Sequence, residues 1–336
     1  MNKAAAAKMI NGESISILGT GSWANTLAFL LGQSYPIILW GHDEQKIRRI
    51  AKTRRFKKPA TLKYPDNVKI TAELRQVFFS RIIINAISLK GMEETYQKIS
   101  LMDIDSSHIF VNGSKGIDSN NLQTPLEIIS KFLPNNPRAV ISGPNLALEL
   151  IQAKPMVTEV ASADIEIAKI VQAKLSNPSL RIYINNDVKG VELCGALKNI
   201  IAIAAGASDA LELGESTKAS LMCRGLHEMG RFLEFYGCKS STLMGPAGIG
   251  DLVATCSSAL SRNYRVGYYL SKGKTKEEII KKLGEVAEGI NTTYAVQQIA
   301  QDKNIDMPIV EQIKRLLDGE IDAVTAVLSL MQRPNK

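Results

Sequence analysis

The sequence predicts an α/β fold: a doubly wound, largely parallel sheet in the N-terminal part, followed by an all-α C-terminal part. Three observations carry this reading. Apolar, β-rich runs alternate with helix-like segments as far as Asn186. Beyond Asn186 the strand signal disappears. A chain of 336 residues is also long for one hydrophobic core. The boundary near residue 187 gives a dinucleotide-binding domain over 1–187 and a helical substrate domain over 188–336.

The first element is the most informative. Ser14 to Leu31 reads SISILGTGSWANTLAFLL, an apolar strand, a GxGxxA turn at Gly19, Gly21 and Ala24, and a helix opened by Ser22. Gly19 allows the tight turn, Gly21 lets the backbone approach a pyrophosphate, and Ala24 lets the helix lie close on the strand. The amides and positive end of that helix suit a diphosphate. Further strands are expected at PIILWG (36), RIIINAI (81), HIFVN (108), RAVISG (138), VTEVAS (157) and LRIYIN (180). Ile82 to Ile84 are continuously apolar, as strands covered on both faces should be. In the C-terminal part, glycine breaks fall near Gly237, Gly245 to Gly250, Gly273 and Gly289. Val188 to Leu211 reads as a bridge helix, and its Ala202, Ala204, Ala205, Gly206 and Ala207 suit close packing of backbones.

A hydrophobic share of 45% and a charged share of 22% place the chain among ordinary globular proteins. MNKAAAAKMI lacks the longer apolar core of a secretory signal, and the apolar stretch around Ile200 to Ala207 is shorter than a membrane span, so a cytoplasmic enzyme is expected. The four cysteines and three histidines are scattered without CxxC pairs, which suggests neither a disulfide framework nor a metal site. The net charge of +8 has a local origin: Lys46 to Lys58, KIRRIAKTRRFKK, holds eight basic residues and no acid. It reads as a solvated face, an anion-attracting rim, or a patch for membrane or nucleic acid. Only Phe56 is interleaved and no nucleic-acid module is present, so nucleic acid ranks last.

Five segments look unlike scaffold. Lys115 in NGSKGI follows a strand, at the carboxyl edge where open α/β sheets bind ligands, and reads either as a surface lysine in a turn or as a site residue. ISGPNLA puts Gly143 and Pro144 in a sharp turn before a helix expected to begin near Asn145. GALKNI sets Lys198 and Asn199 among small and apolar neighbours, where a charge needs a partner, a task, or a path to solvent. Burial or a second cation, for which Lys115 is the candidate, would bring a lysine down from its usual pKa of about 10.4 toward use as a proton donor. GPAGIGDLVATC delivers Asp251 and Thr255, spaced i and i+4, to one helix face. In SRNYRVG, Ser261, Arg262 and Asn263 read either as a cap beside a surface arginine or as a hydroxyl, a guanidinium fork and an amide suited to a phosphate.

Together these segments closely resemble the bacterial-type NAD(P)-dependent glycerol-3-phosphate dehydrogenases over nearly the whole length. GTGSWANTLA, LWGHD, SKGI, ISGPNLA, GALKNIIAIAAG, GESTKASLMCRGLHEM, AGIGDLVATC, SRNYRVG, VAEGINTT and MPIVEQ occur in that family's order and approximate spacing. The resemblance implies an N-terminal Rossmann domain and a helical C-terminal domain. It implies Lys198 as catalytic acid/base, with Lys115, Asn199, Asp251 and Thr255 around a three-carbon substrate. Arg262 and Asn263 would hold its phosphate, with Ser261, Gly143 and Asn145 nearby. Gly19, Gly21, Ser22, Trp23, His42, Ala147, Val286 and Glu288 would contact the cofactor, with Lys115 and Arg262 reaching both ligands. The chain departs from the usual pattern at Ala24, at AISL (86–89), at Gly113-Ser114 and at Asn145-Leu146. The AISL change is expected to alter the cofactor pocket wall, and Asn145 leaves its substrate contact less secure.

The implied reaction is reversible reduction of dihydroxyacetone phosphate to sn-glycerol 3-phosphate for phospholipid synthesis; a homodimer is one candidate assembly, and the sequence leaves the oligomeric state open. The rivals are a two-domain 3-hydroxyacid dehydrogenase and a silent dinucleotide sensor. After the second strand come Gly41, His42 and Asp43, then Lys46, Arg48 and Arg49. Asp43 suits a ribose 2′-hydroxyl, whereas His42 and the basic residues suit a 2′-phosphate, so NADP or both cofactors are expected.

Overall fold

The computed structural model describes residues 14–56, 62–284 and 287–333. The MNKAAAAKMI run, Lys57, Lys58 and Val286 lie outside the described residues. The chain divides into two units, neither continuous in sequence. The first gathers the described residues up to Ser114 with Pro125–Ile141 and Ala147–Asn186. The second gathers Lys115–Thr124, Ser142–Leu146 and the described chain from Asp187 onward.

The first unit is built on an eight-stranded sheet. Its strands are β1 (Ile15–Leu18), β2 (Ile37–Trp40), β3 (Val68–Thr71), β4 (Ile82–Asn85), β5 (Ile109–Asn112), β6 (Arg138–Ser142), β7 (Met156–Ala161) and β8 (Leu180–Asn185). The order is β3-β2-β1-β4-β5-β6-β7-β8. β1 pairs in parallel with β2 and β4, Ile15 lying beside Ile37 and Ile82. The strand order therefore reverses at β1, and open α/β sheets offer a ligand crevice beyond the carboxyl ends of the strands at such a switch point. Strands β1, β2, β4 and β5 are buried on both faces, which explains their unbroken apolar runs. The edges differ. β8 alternates, with Leu180 and Ile182 buried and Arg181 and Tyr183 exposed. β3 escapes the sequence reading, because VKIT is short, carries Lys69 and is only half covered at the opposite edge.

In the second unit the described residues are helical or irregular, except Ser142, the last residue of β6. Its axis is the helix Val188–Ala210, 23 residues long. The expected apolar stretch at Ile200 to Ala207 is thus only part of one longer helix. By length and composition that helix could cross a bilayer, yet its apolar window lies wholly inside the unit, as in the core helix of a globular domain. Around it pack Glu215–Phe235, Arg262–Ser271, Glu288–Asp302 and Pro308–Leu317. Ile200, Ile203, Phe232, Val296 and Ile313 form part of the shared core. Small residues allow the closest crossing: a Cβ on Gly206 would run into the Tyr264 carbonyl, and one on Gly267 into that of Ile203.

Gly237 and Gly273 follow the ends of helices, with φ of +67° and +79°. Gly289 differs from expectation, since it lies in the first turn of Glu288–Asp302 and interrupts nothing. Gly245 leads into one wide turn, Pro246–Gly250, which runs directly into Asp251–Cys256. The helix expected near Asn145 begins at Ala147 and ends at Ile151.

Candidate active site

In the first unit, the end of β1 meets the physical demands of a dinucleotide turn. Gly19 has φ +114°, and a Cβ there would lie 2.6 Å from the Ala86 carbonyl oxygen at the end of β4. Gly21 behaves differently, because nothing in the protein lies within 4 Å of where its Cβ would be. Helix Ser22–Leu31 starts there without a side-chain cap or an acid in its first turn. An open cradle beside a positive helix end fits a pyrophosphate. Ser22 and Trp23 are half-buried on the first turn, His42 is exposed after β2, and Ala147 opens its short helix.

In the second unit, one buried carboxylate organises the lysines. Asp251 and Thr255 lie one turn apart on Asp251–Cys256. Lys198 Nζ donates to Asp251 Oδ1 at 2.7 Å and to Thr255 Oγ1 at 2.6 Å. Lys115 Nζ donates to the other oxygen, Oδ2, at 2.5 Å and to the Gly143 carbonyl at 3.3 Å. Lys198 is 6% exposed and Asp251 2%, so Lys198 does not reach solvent as the snorkelling alternative required. Burial pushes the Lys198 ammonium down to about 8; Asp251 opposes the shift and Lys115 adds to it. For Asp251, burial alone would raise the pKa, but Lys115 and Lys198 outweigh it and hold the carboxyl below its usual range. Adjacent Cys256 is buried with its thiol pushed up to about 12, which keeps it protonated and inert.

A second set of polar residues comes from other helices of the same unit. The Ser261 hydroxyl accepts from the Tyr264 amide at 3.2 Å and caps Arg262–Ser271, the local role considered for it. Arg262 is half-buried at the first position, and Asn263 is buried with its Oδ1 accepting from the Gly289 amide at 3.0 Å. Asn199 Nδ2 donates to the Gly195 carbonyl at 3.3 Å. Asn145 is half-buried within Ser142–Leu146, and Glu288 opens Glu288–Asp302 beside Gly289. Direct bonds thus join Lys115, Gly143, Lys198, Asp251 and Thr255, while Asn263 is tied to Gly289.

Two family models match the chain: the NAD-dependent glycerol-3-phosphate dehydrogenase N-terminus over residues 14–168, and the C-terminus over 187–328. A glycerol-3-phosphate dehydrogenase [NAD(P)+] of a Thermoanaerobacter species is 40% identical over 324 residues, covering 96% of this chain and 98% of that one. One from Trichormus variabilis is 41% identical over 323 residues, covering 96% and 97%. The crystal structure of glycerol-3-phosphate dehydrogenase from Coxiella burnetii superposes with a TM-score of 0.91 at 34% identity, covering 96% and 99%. The chain belongs to the NAD-dependent glycerol-3-phosphate dehydrogenase family.

Several departures of this dehydrogenase from the usual pattern touch one another. A Cβ on Gly113 would lie 2.8 Å from Trp23 Nε1, so the glycine makes room for the indole. The Ser114 hydroxyl donates to the Ile87 carbonyl at 2.6 Å and accepts from Asn85 Nδ2 at 3.2 Å, tying AISL to the end of β4. Ala24 is fully buried, as close helix packing requires.

The basic segment is less uniform than a solvated face. Ile47 and Ile50 anchor helix Glu44–Thr53, and Asp43 caps it through the Lys46 amide at 2.9 Å. Arg54 turns inward and donates to the carbonyls of Pro65 and Val68. Lys46 Nζ lies 3.4 Å from the Thr20 carbonyl, beside the fingerprint turn. Two positions of this dehydrogenase escaped the sequence reading. A Cβ on Gly195 would meet Ser142 Oγ at 2.8 Å, and one on Gly289 would meet Asn263 Oδ1 at 2.7 Å. Their only sequence signal is a glycine within a helix, Gly195 one turn before Asn199 and Gly289 directly after Glu288.

Proposed function

We propose that this chain catalyses the reversible NAD(P)H-dependent reduction of dihydroxyacetone phosphate to sn-glycerol 3-phosphate, with Lys198 as the acid/base. The observation that carries the assignment of Lys198 is the buried Asp251 carboxylate with one lysine on each oxygen. Residues 1–187 serve the dinucleotide and residues 188–336, together with Lys115, Gly143 and Asn145, serve the substrate.

The bound cofactor supplies a hydride to the ketone carbon. Lys198 gives its proton to the alkoxide oxygen that develops there, and takes one back in the reverse direction. An ammonium brought down to about 8 does both near neutral pH. Lys115 adds positive charge beside the developing oxyanion, while Asp251 and Thr255 fix the direction of the Lys198 Nζ. Asn199 orients the three-carbon chain, and Arg262 and Asn263 hold the phosphate with Ser261, Gly143 and Asn145 around it. Gly19, Gly21, Ser22, Trp23, His42, Ala147 and Glu288 contact the cofactor, joined by Lys115 and Arg262; Val286 is assigned on resemblance alone.

Both cofactors are accepted in this reading. The Asp43 side chain caps a helix through one oxygen, while exposed His42 and nearby Lys46 offer positive charge to a 2′-phosphate. The enzyme acts in the cytoplasm as a homodimer and supplies glycerol 3-phosphate for phospholipid synthesis. The deciding assay follows NADPH and NADH oxidation with dihydroxyacetone phosphate and with 3-oxoacids. Turnover with the triose phosphate is expected, with NADPH at least as efficient as NADH; a strong NADH preference removes the phosphate-pocket idea. Lys198→Ala should abolish turnover while cofactor titration stays unchanged, and near-normal turnover in that variant removes Lys198 from the mechanism.

A further inference from the structure

We infer that Gly289 is a positioning residue for substrate phosphate, acting through Asn263; the inference rests on the phosphate role proposed for Asn263. A helix leaves its first amides without intrahelical acceptors, and Gly289 is the second residue of Glu288–Asp302. Its N–H goes instead to Asn263 Oδ1 at 3.0 Å, a buried contact between residues 26 positions apart on two helices. That bond turns the acceptor end of a planar amide toward Gly289. The remaining end, Nδ2, carries only donors, which is what a phosphate requires. With its carbonyl turned the other way, the same side chain would offer an anion an acceptor and repel it. A local backbone amide therefore decides the chemical character of a side chain on a different helix.

The same position also sets a distance. A Cβ on Gly289 would come 2.7 Å from Asn263 Oδ1, 3.0 Å from Asn263 Cγ and 3.0 Å from the Asn199 carbonyl oxygen. The first two contacts belong to a side chain that can swing aside; the third is backbone of the helix that carries Lys198. Glycine at 289 lets the start of Glu288–Asp302 approach both segments at once. Any other residue displaces the Asn263 amide first, because that is the softer neighbour. The expected consequence is loss of phosphate affinity with the proton-transfer group left in place.

Two measurements test this. The first is a double-mutant cycle on KM for dihydroxyacetone phosphate. Gly289→Ala should raise KM about tenfold with kcat within about threefold, and should add less than about twofold in an Asn263→Ala background. The kcat/KM for unphosphorylated dihydroxyacetone should change little in any of the three variants. Additive effects, or equal losses with both substrates, overturn the positioning role. The second needs no glycine variant. Amide hydrogen exchange at Gly289 should be at least about tenfold faster in Asn263→Ala than in the parent enzyme, and unchanged in Arg262→Ala. Unchanged exchange in Asn263→Ala removes the bond and the inference with it. If Asn263→Ala leaves KM for dihydroxyacetone phosphate at the parent value, the phosphate role of Asn263 falls first, and the role of Gly289 falls with it.

Discussion

Lys198 owes its properties to competition between burial and its neighbours. Removing an ammonium from water disfavours its charge, and only Asp251 opposes that cost strongly enough to keep the group protonated near neutrality. The sign of the pH dependence follows. Ketone reduction needs the protonated amine, so kcat for reduction should fall as pH rises through about 8. Alcohol oxidation needs the neutral amine and should rise through the same interval. Matched rate profiles in the two directions measure this, and coincident profiles would remove Lys198 as the titrating group. In the proposed reaction Arg262 acts at the other end of the substrate. At saturating cofactor, Arg262→Ala should raise KM for dihydroxyacetone phosphate by about 10- to 100-fold, the usual loss for a hydrogen bond to a charged group, with little effect on unphosphorylated dihydroxyacetone. Lys198 was legible as a chemical residue because a lysine in GALKNIIAIAAG has no bland explanation once the helix is buried. Gly289 was not legible, because its partner lies on another helix.

Helix contacts decide how these residues are held. Gly206 and Gly267 let the helices carrying Lys198 and Arg262 cross at backbone contact. Gly206→Ala should destabilise the protein by about 1–3 kcal/mol, as overpacking does, and denaturant unfolding measures it. Glu228 performs a different task. It is 2% exposed on Glu215–Phe235, and its oxygens accept from the Ile309 and Val310 amides at 2.8 and 3.4 Å, capping Pro308–Leu317 from outside. Burial raises its pKa to about 7, with Ile309 and Val310 opposing. A raised carboxyl pKa means that the native state binds more protons than the unfolded chain. Stability from this group is therefore full below the ordinary glutamate range and is lost as pH rises to about 7. Glu228→Gln should flatten the pH dependence of unfolding over that window; an unchanged slope would show that another group is responsible. The small-residue run of the bridge helix announces the crossing at Gly206, whereas Glu228 is not visible in sequence, since a glutamate in GLHEMG reads as an ordinary helical surface residue.

At the scale of the molecule, the chain crosses between its two units five times. Lys115–Thr124 and Ser142–Leu146 leave the sheet unit, place Lys115 and Gly143 in the helical unit, and return. A single boundary at 187 therefore gives the covalent order of the bulk of each unit but omits these two excursions. Because they tie Asp251 to segments flanked by β5 and β6, the units should unfold together. Trp23 and Trp40 both belong to the sheet unit, whereas most helix lies in the other. Fluorescence and far-ultraviolet circular dichroism should thus give one coincident denaturation curve, and separated midpoints would refute the coupling. Sequence sufficed for the sheet's central strands, the fingerprint turn, the bridge helix and the Asp251 to Thr255 spacing, because each is written in local periodicity or in neighbours one helical turn apart. It also carried the family, through ordered motifs. Only the tertiary structure decided that Lys115 and Lys198 share one carboxylate, that β3 closes an edge, and that Asn263 accepts from the Gly289 amide. Those outcomes depend on contacts between residues as many as 136 positions apart, which no local pattern encodes.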